Sequence, residues 1–205
     1  RVAGWQPGST RAAVRALLNW SGALAGLLLL ITGGLLHPAW LQWSDTSGWQ
    51  SINLGVTAQL PALLLTALIC GPRPALMAAI AYLALGLSGV LMVFHSGGGL
   101  SYLQLPAFGY IAGFLPAAWL CGRLAQRDDV NQLEHLMAIA LLGVLTVQLC
   151  GGLNLVVGHW AGRWAEPLPQ LLLSYGLLPL GGQILLCAVV AVVSRLLRPL
   201  LTVNH

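Results

Sequence analysis

The chain contains no lysine, and its 205 residues include only five acidic side chains. Charged residues make up 7% of the sequence, whereas an average soluble domain has about 25%. So few charges cannot solvate the surface of a globular protein of this size, which excludes the soluble globular class. Because 58% of the residues are hydrophobic and the mean hydropathy is +0.82, the sequence predicts an integral membrane protein.

The sequence also lacks the patterns that indicate an enzyme. It has no HExxH, no GxSxG and no P-loop, and its acids lie outside the apolar segments, so no buried carboxylate pair can relay protons. Three histidines, His37, His95 and His159, are predicted on one face, but their spacing matches no metal-ligand pattern. We therefore expect no catalytic residue, no metal site and no cofactor. Nucleic-acid binding is not expected either, because the few arginines lie between apolar runs.

Apolar segments about 20 residues long predict membrane-spanning helices. A shorter apolar patch, Leu168 to Tyr175, is predicted to lie at the membrane interface or to enter it partway. The fold class predicted is therefore an all-α membrane protein with six transmembrane helices: Leu17 to Leu36, Leu54 to Cys70, Ala75 to Phe94, Pro106 to Cys121, Leu136 to Val157 and Leu177 to Val193.

The arginines predict the orientation of these helices. If six helices alternate, only Arg163 falls on one side. The positive-inside rule then places both termini in the cytoplasm. The predicted organisation is a cytoplasmic segment over 1–16, a six-helix membrane domain over 17–198 and a cytoplasmic tail over 199–205. The arginines on the inner side are Arg1, Arg11, Arg15, Arg73, Arg123, Arg127, Arg195 and Arg198.

The predicted outer loops, residues 37–51, 95–105 and 158–170, are longer than the inner ones and rich in tryptophan and glycine. Long loops on a single face suggest a binding site or a docking surface there. A polar side chain inside hydrocarbon is costly unless it is paired, so such residues either join helices or contact a ligand. The candidate ligand-binding residues are Thr57, Gln59, Tyr82, Tyr102, Tyr110, Asn154 and Gln183.

Small residues at helical spacing predict close helix packing. In the first span, Gly22 and Gly26 form a GxxxG pair, and Ser21 and Ala25 form a parallel pair on the next face. These four residues are candidates for packing against a partner helix, and spacing does not decide whether that helix belongs to this chain or to another subunit. In the fourth span, Gly109 and Gly113 share a face and predict another close approach.

An ordered series of motifs resembles the BioY family, the biotin-specific S components of energy-coupling-factor transporters. "VTAQ" (56–59) and "GPR" (71–73) are similar to the family's VTxQ and GPR. "YLALGLSGV" (82–90) is similar to YLxLGxxGxPVF, and the "GGG" loop followed by "LPAFGYIAGF" (105–114) is similar to GGxGYLxxPTxGYLxGF. "GHW" (158–160) is similar to GxxWL.

The resemblance implies an S-component bundle that binds biotin or a similar small vitamin at the outer face of a bacterial inner membrane. It also implies a separate coupling subunit and two ATPases as partners. The chain departs from the family at "PLGGQILL", residues 179–186, where the family has a PGDLLK-like motif whose Asp and Lys hold the ligand. Gln183 stands in the place of the Asp, and Leu186 in the place of the Lys.

Two hypotheses for the function follow. In the first, the chain is a BioY-like S component for vitamin binding and uptake, with a ligand near Thr57, Gln59, Tyr82 and Gln183. In the second, it is a non-transporting accessory subunit of a larger membrane complex, which reuses the fold after losing the ligand-binding Asp and Lys.

Overall fold

The computed structural model describes residues 7–36, 38–44, 48–53, 56–89, 93–94, 98–127 and 132–201. Its α-helices are α1 (Pro7–Leu35), α2 (Gln59–Cys70), α3 (Pro72–Ser88), α4 (Phe108–Ala112), α5 (Phe114–Ala125), α6 (Leu133–Trp160), α7 (Leu168–Leu171) and α8 (Leu178–Leu201). Strands β1 (Ala39–Ser44) and β2 (Gly48–Asn53), a 3-10 helix (Leu100–Gln104) and a π-helical segment (Leu172–Leu177) complete the described elements.

These elements form six membrane helices within the described part of the chain. Four helical segments are long and apolar enough to cross a membrane: Ala12–Leu35, Phe108–Ala125, Leu133–Trp160 and Leu168–Pro199. Two shorter apolar helices, α2 and α3, complete the bundle. The predicted all-helical membrane fold is thereby confirmed. The side of the membrane on which the termini lie, and the domain limits that depend on it, remain predictions.

A two-stranded hairpin replaces part of the first predicted outer loop. Strands β1 and β2 pair antiparallel, with Ala39 opposite Asn53 and Trp43 opposite Trp49. The prediction of a loop over 37–51 was therefore wrong for the paired residues. The two strands contain three tryptophans and an isoleucine, residue types that favour strands.

The second and third helices are shorter than predicted because their flanking residues adopt other conformations. The backbone at Val56 and Thr57 is not helical, and α2 starts at Gln59. Helix α3 ends at Ser88, and the next residue, Gly89, has φ of +70° in the left-handed region that favours glycine. Phe94 therefore lies beyond α3, although the predicted span extended to it.

The apolar patch from Leu168 to Tyr175 is continuous with the last membrane helix, and its depth in the membrane remains a prediction. It continues through a π-helical segment into α8, and the whole stretch is one apolar helical segment. Pro169 lies in the first turn, where a missing N–H costs nothing. Pro179 has no N–H for an α-helical hydrogen bond to residue 175, and the wider π turn immediately precedes it.

One end of the bundle gathers the loops that carry the arginines. The backbones of Gly71 and Pro72 lie so close to Gly122 that a β-carbon there would come within 2.5 Å of the Pro72 α-carbon. The Arg198 guanidinium donates a hydrogen bond to the Ala125 carbonyl, which joins the ends of α5 and α8. The opposite end carries the hairpin and the loops after α3 and α6, so any site at those loops lies far from most of the arginines.

Candidate functional site

Three predicted site residues form one hydrogen-bonded chain at the start of α2. The Thr57 hydroxyl donates to Gln59 Oε1 at 3.3 Å, Gln59 Nε2 donates to the Tyr82 hydroxyl at 2.6 Å, and that hydroxyl donates to the Val93 carbonyl at 2.9 Å. Gln59 is 5% exposed and Tyr82 is completely buried. We call Thr57, Gln59, Tyr82 and the Val93 carbonyl the closed cluster, because each polar side chain in it has a partner in the chain.

Aromatic rings pack around the closed cluster. Phe94 lies edge-on to Tyr82 with ring centroids 5.4 Å apart, and Tyr102 lies 4.4 Å from Phe94. The Phe94 ring occupies the space over Gly86, where a β-carbon would come within 2.1 Å of it. The Gly99 amide also donates to the Gly86 carbonyl at 2.8 Å. The segment after α3 is thus folded back onto α3, and these side chains fill the volume beside Tyr82.

Asn154 fixes the beginning of the fourth membrane helix. Its Nδ2 donates to the Pro106 carbonyl at 3.2 Å. Gly109 faces Asn154, and Gly113 faces Cys150 and Val147; a β-carbon on either glycine would come within about 3 Å of α6. The predicted close packing through Gly109 and Gly113 is confirmed, and its partner is α6.

A second polar group lies between α4, α6 and the π-helical segment. Gln148 Nε2 donates to Gln183 Oε1 at 2.9 Å and to the Gly176 carbonyl at 3.4 Å. The Tyr110 hydroxyl oxygen is buried without a hydrogen-bond partner in the described part of the chain. We call Tyr110, Gln148, Gly176 and Gln183 the open cluster, because its hydrogen-bonding capacity is only partly used.

Gly176 faces both the Tyr110 hydroxyl and Gln148 Oε1. A β-carbon built on Gly176 would lie 3.5 Å from the Tyr110 hydroxyl and 3.7 Å from Gln148 Oε1, both ordinary van der Waals distances. The ring of Tyr175 stacks on that of Tyr110 with centroids 6.4 Å apart. The absence of a side chain on Gly176 therefore leaves room for about one methyl group between the phenol hydroxyl and the amide carbonyl.

The open cluster contains no charge, and arginines are distant from it along the helices. Gln148 lies twelve residues before Trp160, the last residue of α6, which corresponds to roughly 18 Å of helix. Arg163 is exposed in the loop beyond that end. Arg195 lies twelve residues after Gln183, again roughly 18 Å along the helix. Groups that bind here therefore meet amide and phenol dipoles.

The structure divides the predicted site residues between these environments. Thr57, Gln59 and Tyr82 belong to the closed cluster, and Tyr102 packs beside it. Tyr110 and Gln183 belong to the open cluster, and Asn154 holds the entry to α4. Sequence reasoning missed Gln148, although an amide at the middle of an apolar segment carries the same desolvation cost that singled out Gln183. The ligand-binding role of all these residues remains a prediction.

The four residues predicted to pack against a partner helix lie in two environments. Gly22 and Gly26 are buried inside the chain: a β-carbon at Gly26 would come within 2.5 Å of Thr66, and one at Gly22 within 3.2 Å of Cys70. Their packing partners are therefore α2 and α3 of this chain. Ser21 and Ala25 are exposed on the neighbouring face of α1.

An apolar groove of about 210 Å³ lies elsewhere, between α1, α2 and α8. Its lining includes Leu29, Gly33, Pro61 and Val189 and none of the open-cluster residues. Of the three outer histidines, His37 and His95 lie outside the described residues. In the part of the chain that the structure describes, no group of three or more metal-ligating side chains occurs.

Comparison with known proteins identifies relatives of the whole bundle. A solved structure, the S-component for biotin from an ECF-type ABC transporter, matches with a TM-score of 0.65 and 20% identity, over 96% of this chain and 95% of that chain. At this identity the match shows a shared fold.

Two sequence relatives differ in how much of their length is matched. A "Probable biotin transporter BioY" of Lysinibacillus sphaericus is 31% identical over 91 residues, 44% of this chain and 46% of that protein. An uncharacterized 21.2 kDa protein of Cyanophora paradoxa is 25% identical over 187 residues, 90% of this chain and 96% of that protein. The match therefore spans less than half of the first relative and nearly all of the second.

The family comparison covers most of the membrane domain. The model of the BioY family matches residues 46–203, from the hairpin through α8. This range contains both polar clusters and every candidate ligand-binding residue. The chain is an integral membrane protein that belongs to the BioY family.

Proposed function

We propose that this chain is a substrate-binding S component that captures a biotin-type vitamin at the outer face of a bacterial plasma membrane. Its place in the BioY family, the shared fold with a biotin S component and the name of the relative from Lysinibacillus sphaericus support this function. In this proposal the chain is a transport component and not an enzyme. It works with a separate membrane coupling subunit and two ATPases.

The observation that carries the proposal is the open cluster. A polar group buried in a bundle without a partner is costly, by about 1–3 kcal/mol. The Tyr110 hydroxyl is buried without such a partner among the described residues. The equally buried Tyr82 hydroxyl, by contrast, accepts one hydrogen bond and donates another. A ligand that supplies the missing partner explains why the hydroxyl is present. We therefore assign the ligand to the open cluster, with Tyr110, Gln148 and Gln183 as its contacts.

Titration of the purified chain with labelled biotin tests the function. The position that the family motif fills with lysine is Leu186 here, and the chain has no lysine at all. Without a hydrogen-bonded cation, a buried carboxylate loses about 2–5 kcal/mol, which corresponds to ~30-fold to several-thousand-fold weaker binding. We expect saturable micromolar binding. Absence of binding at millimolar biotin contradicts the vitamin-uptake function.

A second candidate function is an accessory subunit of a larger membrane complex. It is favoured by the closed cluster, because three of the predicted ligand contacts there are already used to hold the fold together. Purification of the tagged chain from its native membrane, followed by identification of the bound proteins, separates the two. An S component brings a coupling subunit and ATPases, whereas an accessory subunit brings a complex without ATPases.

A further inference from the structure

The arginine-bearing end of the bundle brings three exposed arginines onto two elements that touch. Arg73 lies in the first turn of α3, directly after Pro72, whereas Arg123 and Arg127 lie at the end of α5 and just beyond it. Gly122 packs directly against the Pro72 backbone, so the backbones that carry the arginines meet at one surface. We call Arg73, Arg123 and Arg127 the basic patch.

The basic patch has little negative charge around it. In the part of the chain that the structure describes, none of its three arginines forms an ion pair with an acidic side chain. The sequence predicts eight arginines but only three acids on this side of the membrane, and two of these acids, Asp128 and Asp129, lie outside the described residues. Like charges on neighbouring elements repel each other, and an anion bound among them removes that repulsion.

Two exposed tryptophans place the basic patch at the level of the lipid headgroups. Arg123 stacks on Trp119, with its guanidinium carbon 5.2 Å from the ring centroid. Trp20 lies two residues, or about 3 Å of helix, before Gly22, which packs against Pro74 in the first turn of α3. Trp119 is 47% exposed and Trp20 is 62% exposed. Because exposed tryptophans of membrane helices favour the membrane–water interface, the arginines beside them lie level with the lipid phosphates.

We propose that the basic patch binds the phosphate of an anionic phospholipid, in the leaflet that surrounds this end of the bundle. A guanidinium binds a phosphate through two parallel hydrogen bonds and supplies its counter-charge. The Trp119 ring, one helical turn before Arg123, then contacts the lipid beneath its phosphate. An acidic protein surface or a free phosphate offers the same charge, but neither accounts for the interfacial tryptophans. The proposal concerns the surrounding lipid and is independent of the molecule that the chain transports.

Two phospholipids with identical acyl chains test the chemistry of the partner. Palmitoyl-oleoyl phosphatidylglycerol, which is anionic, and palmitoyl-oleoyl phosphatidylcholine, which is zwitterionic, are titrated separately into the full chain in a neutral detergent. Native mass spectrometry measures how much of each lipid is bound. One arginine beside an anionic headgroup strengthens binding about fivefold. We expect phosphatidylglycerol to bind at least tenfold more tightly, with a preference that falls as ionic strength rises.

A matched set of arginine variants tests the location. Arg123→Gln and Arg73→Gln each remove one charge from the basic patch, on α5 and on α3. Arg163→Gln makes the same change at an exposed position at the opposite end of the bundle. We expect each of the first two variants to reduce the preference for phosphatidylglycerol about fivefold, and Arg163→Gln to leave it within twofold.

Three results overturn the proposal. Equal binding of the two lipids excludes an anionic lipid and leaves the arginines to an acidic surface of a partner protein. An equal loss of preference in Arg163→Gln and Arg123→Gln shows a general attraction of a basic chain for anionic lipid, without a site. Displacement of phosphatidylglycerol by ammonium phosphate, but not by ammonium acetate of the same ionic strength, assigns the patch to free phosphate.

Discussion

The closed and open clusters are made of the same kinds of groups, amides and phenols, in the same bundle, but they use them differently. In the closed cluster, Gln59 and Tyr82 bond to each other and to the Val93 carbonyl. In the open cluster, Gln148 bonds to Gln183, while the nearby Tyr110 hydroxyl has no partner in the described residues. Composition therefore does not distinguish the two clusters, whereas their hydrogen-bond balance does.

The difference follows from what surrounds each cluster. The rings of Phe94, Phe114 and Tyr102 pack against or near Tyr82, and the segment after α3 brings a backbone carbonyl within reach of its hydroxyl. Around Tyr110 the neighbouring element is a π-helical segment with a glycine facing the hydroxyl. π-Helical segments inside helices are frequent at functional sites. We interpret the first cluster as part of the fold and the second as the binding site.

The largest expected effect concerns the topology, that is, the side of the membrane on which the loops with Arg163 and Arg73 lie. Cysteine replaces the exposed Arg163 or the exposed Arg73 in intact cells treated with a membrane-impermeant maleimide. The arginine distribution predicts labelling of Arg163→Cys at once, and labelling of Arg73→Cys only after permeabilisation. The parent chain, whose own cysteines are Cys70, Cys121, Cys150 and Cys187, provides the background. The reverse pattern would place the start of α2 and the loops after α3 and α6 toward the cytoplasm, and would contradict ligand capture from the outer face.

The next largest effect is expected from removing one hydroxyl of the closed cluster. Tyr82→Phe leaves the Gln59 amide and the Val93 carbonyl without their partner in a buried site. Each of these two unsatisfied groups costs about 1–3 kcal/mol, so we expect a loss of about 2–6 kcal/mol of stability. Thermal unfolding in detergent measures it.

Gln59→Leu is the companion variant, because it removes the other partner of the same bond. In the double variant, the stability losses of Gln59→Leu and Tyr82→Phe should sum to less than their separate values, because the two residues are in contact and their effects are coupled. Full additivity, or an unchanged melting temperature for Tyr82→Phe, contradicts the structural role of the closed cluster.

A smaller loss of stability is expected from a substitution in α1, where this helix packs against α2 and α3, the helices that carry the closed cluster. In Gly26→Ala the new methyl group would lie 2.5 Å from Thr66 Cγ2 and 3.1 Å from Ala78 Cβ. Over-packing of this kind costs about 1–3 kcal/mol. Gly152→Ala on α6 is the control, because nothing lies within 4 Å of the added methyl group. Equal melting temperatures for the two variants would show that α1 packs less closely than described.

The sequence predicted the features that depend on local patterns and missed those that depend on contacts between segments distant in the chain. Hydropathy and arginine placement predicted six helices, because both depend on segment length and local charge. The hairpin over 39–53 was missed, since its register requires pairing between two segments. The continuity of the apolar patch at Leu168 with α8 was also missed, and a π-helical segment joins the two.

The site was predicted as a set of polar residues but not as a geometry. The cost of desolvation singled out Gln59, Tyr82 and Gln183 correctly as buried or half-buried groups inside the bundle. It did not reveal that Gln59 bonds to Tyr82 whereas Gln183 bonds to Gln148, because those pairs are 23 and 35 residues apart in the chain. Pairing at such separations is decided by helix packing, which no local pattern encodes.

The smallest expected effect on stability comes from Tyr110→Phe, and it decides between a binding site and a contact that merely joins helices. The Tyr110 hydroxyl has no hydrogen-bond partner in the described part of the chain, so its removal breaks no bond and relieves a desolvation cost. We expect the melting temperature to stay equal to that of the parent chain or to rise slightly, while binding of labelled biotin weakens about tenfold through the loss of one hydrogen bond to the ligand. The matched comparison is Tyr82→Phe, which makes the same chemical change in the closed cluster and should lower stability. If Tyr110→Phe destabilises the bundle as much as Tyr82→Phe does, then the hydroxyl holds helices together, and the open cluster is a second structural contact.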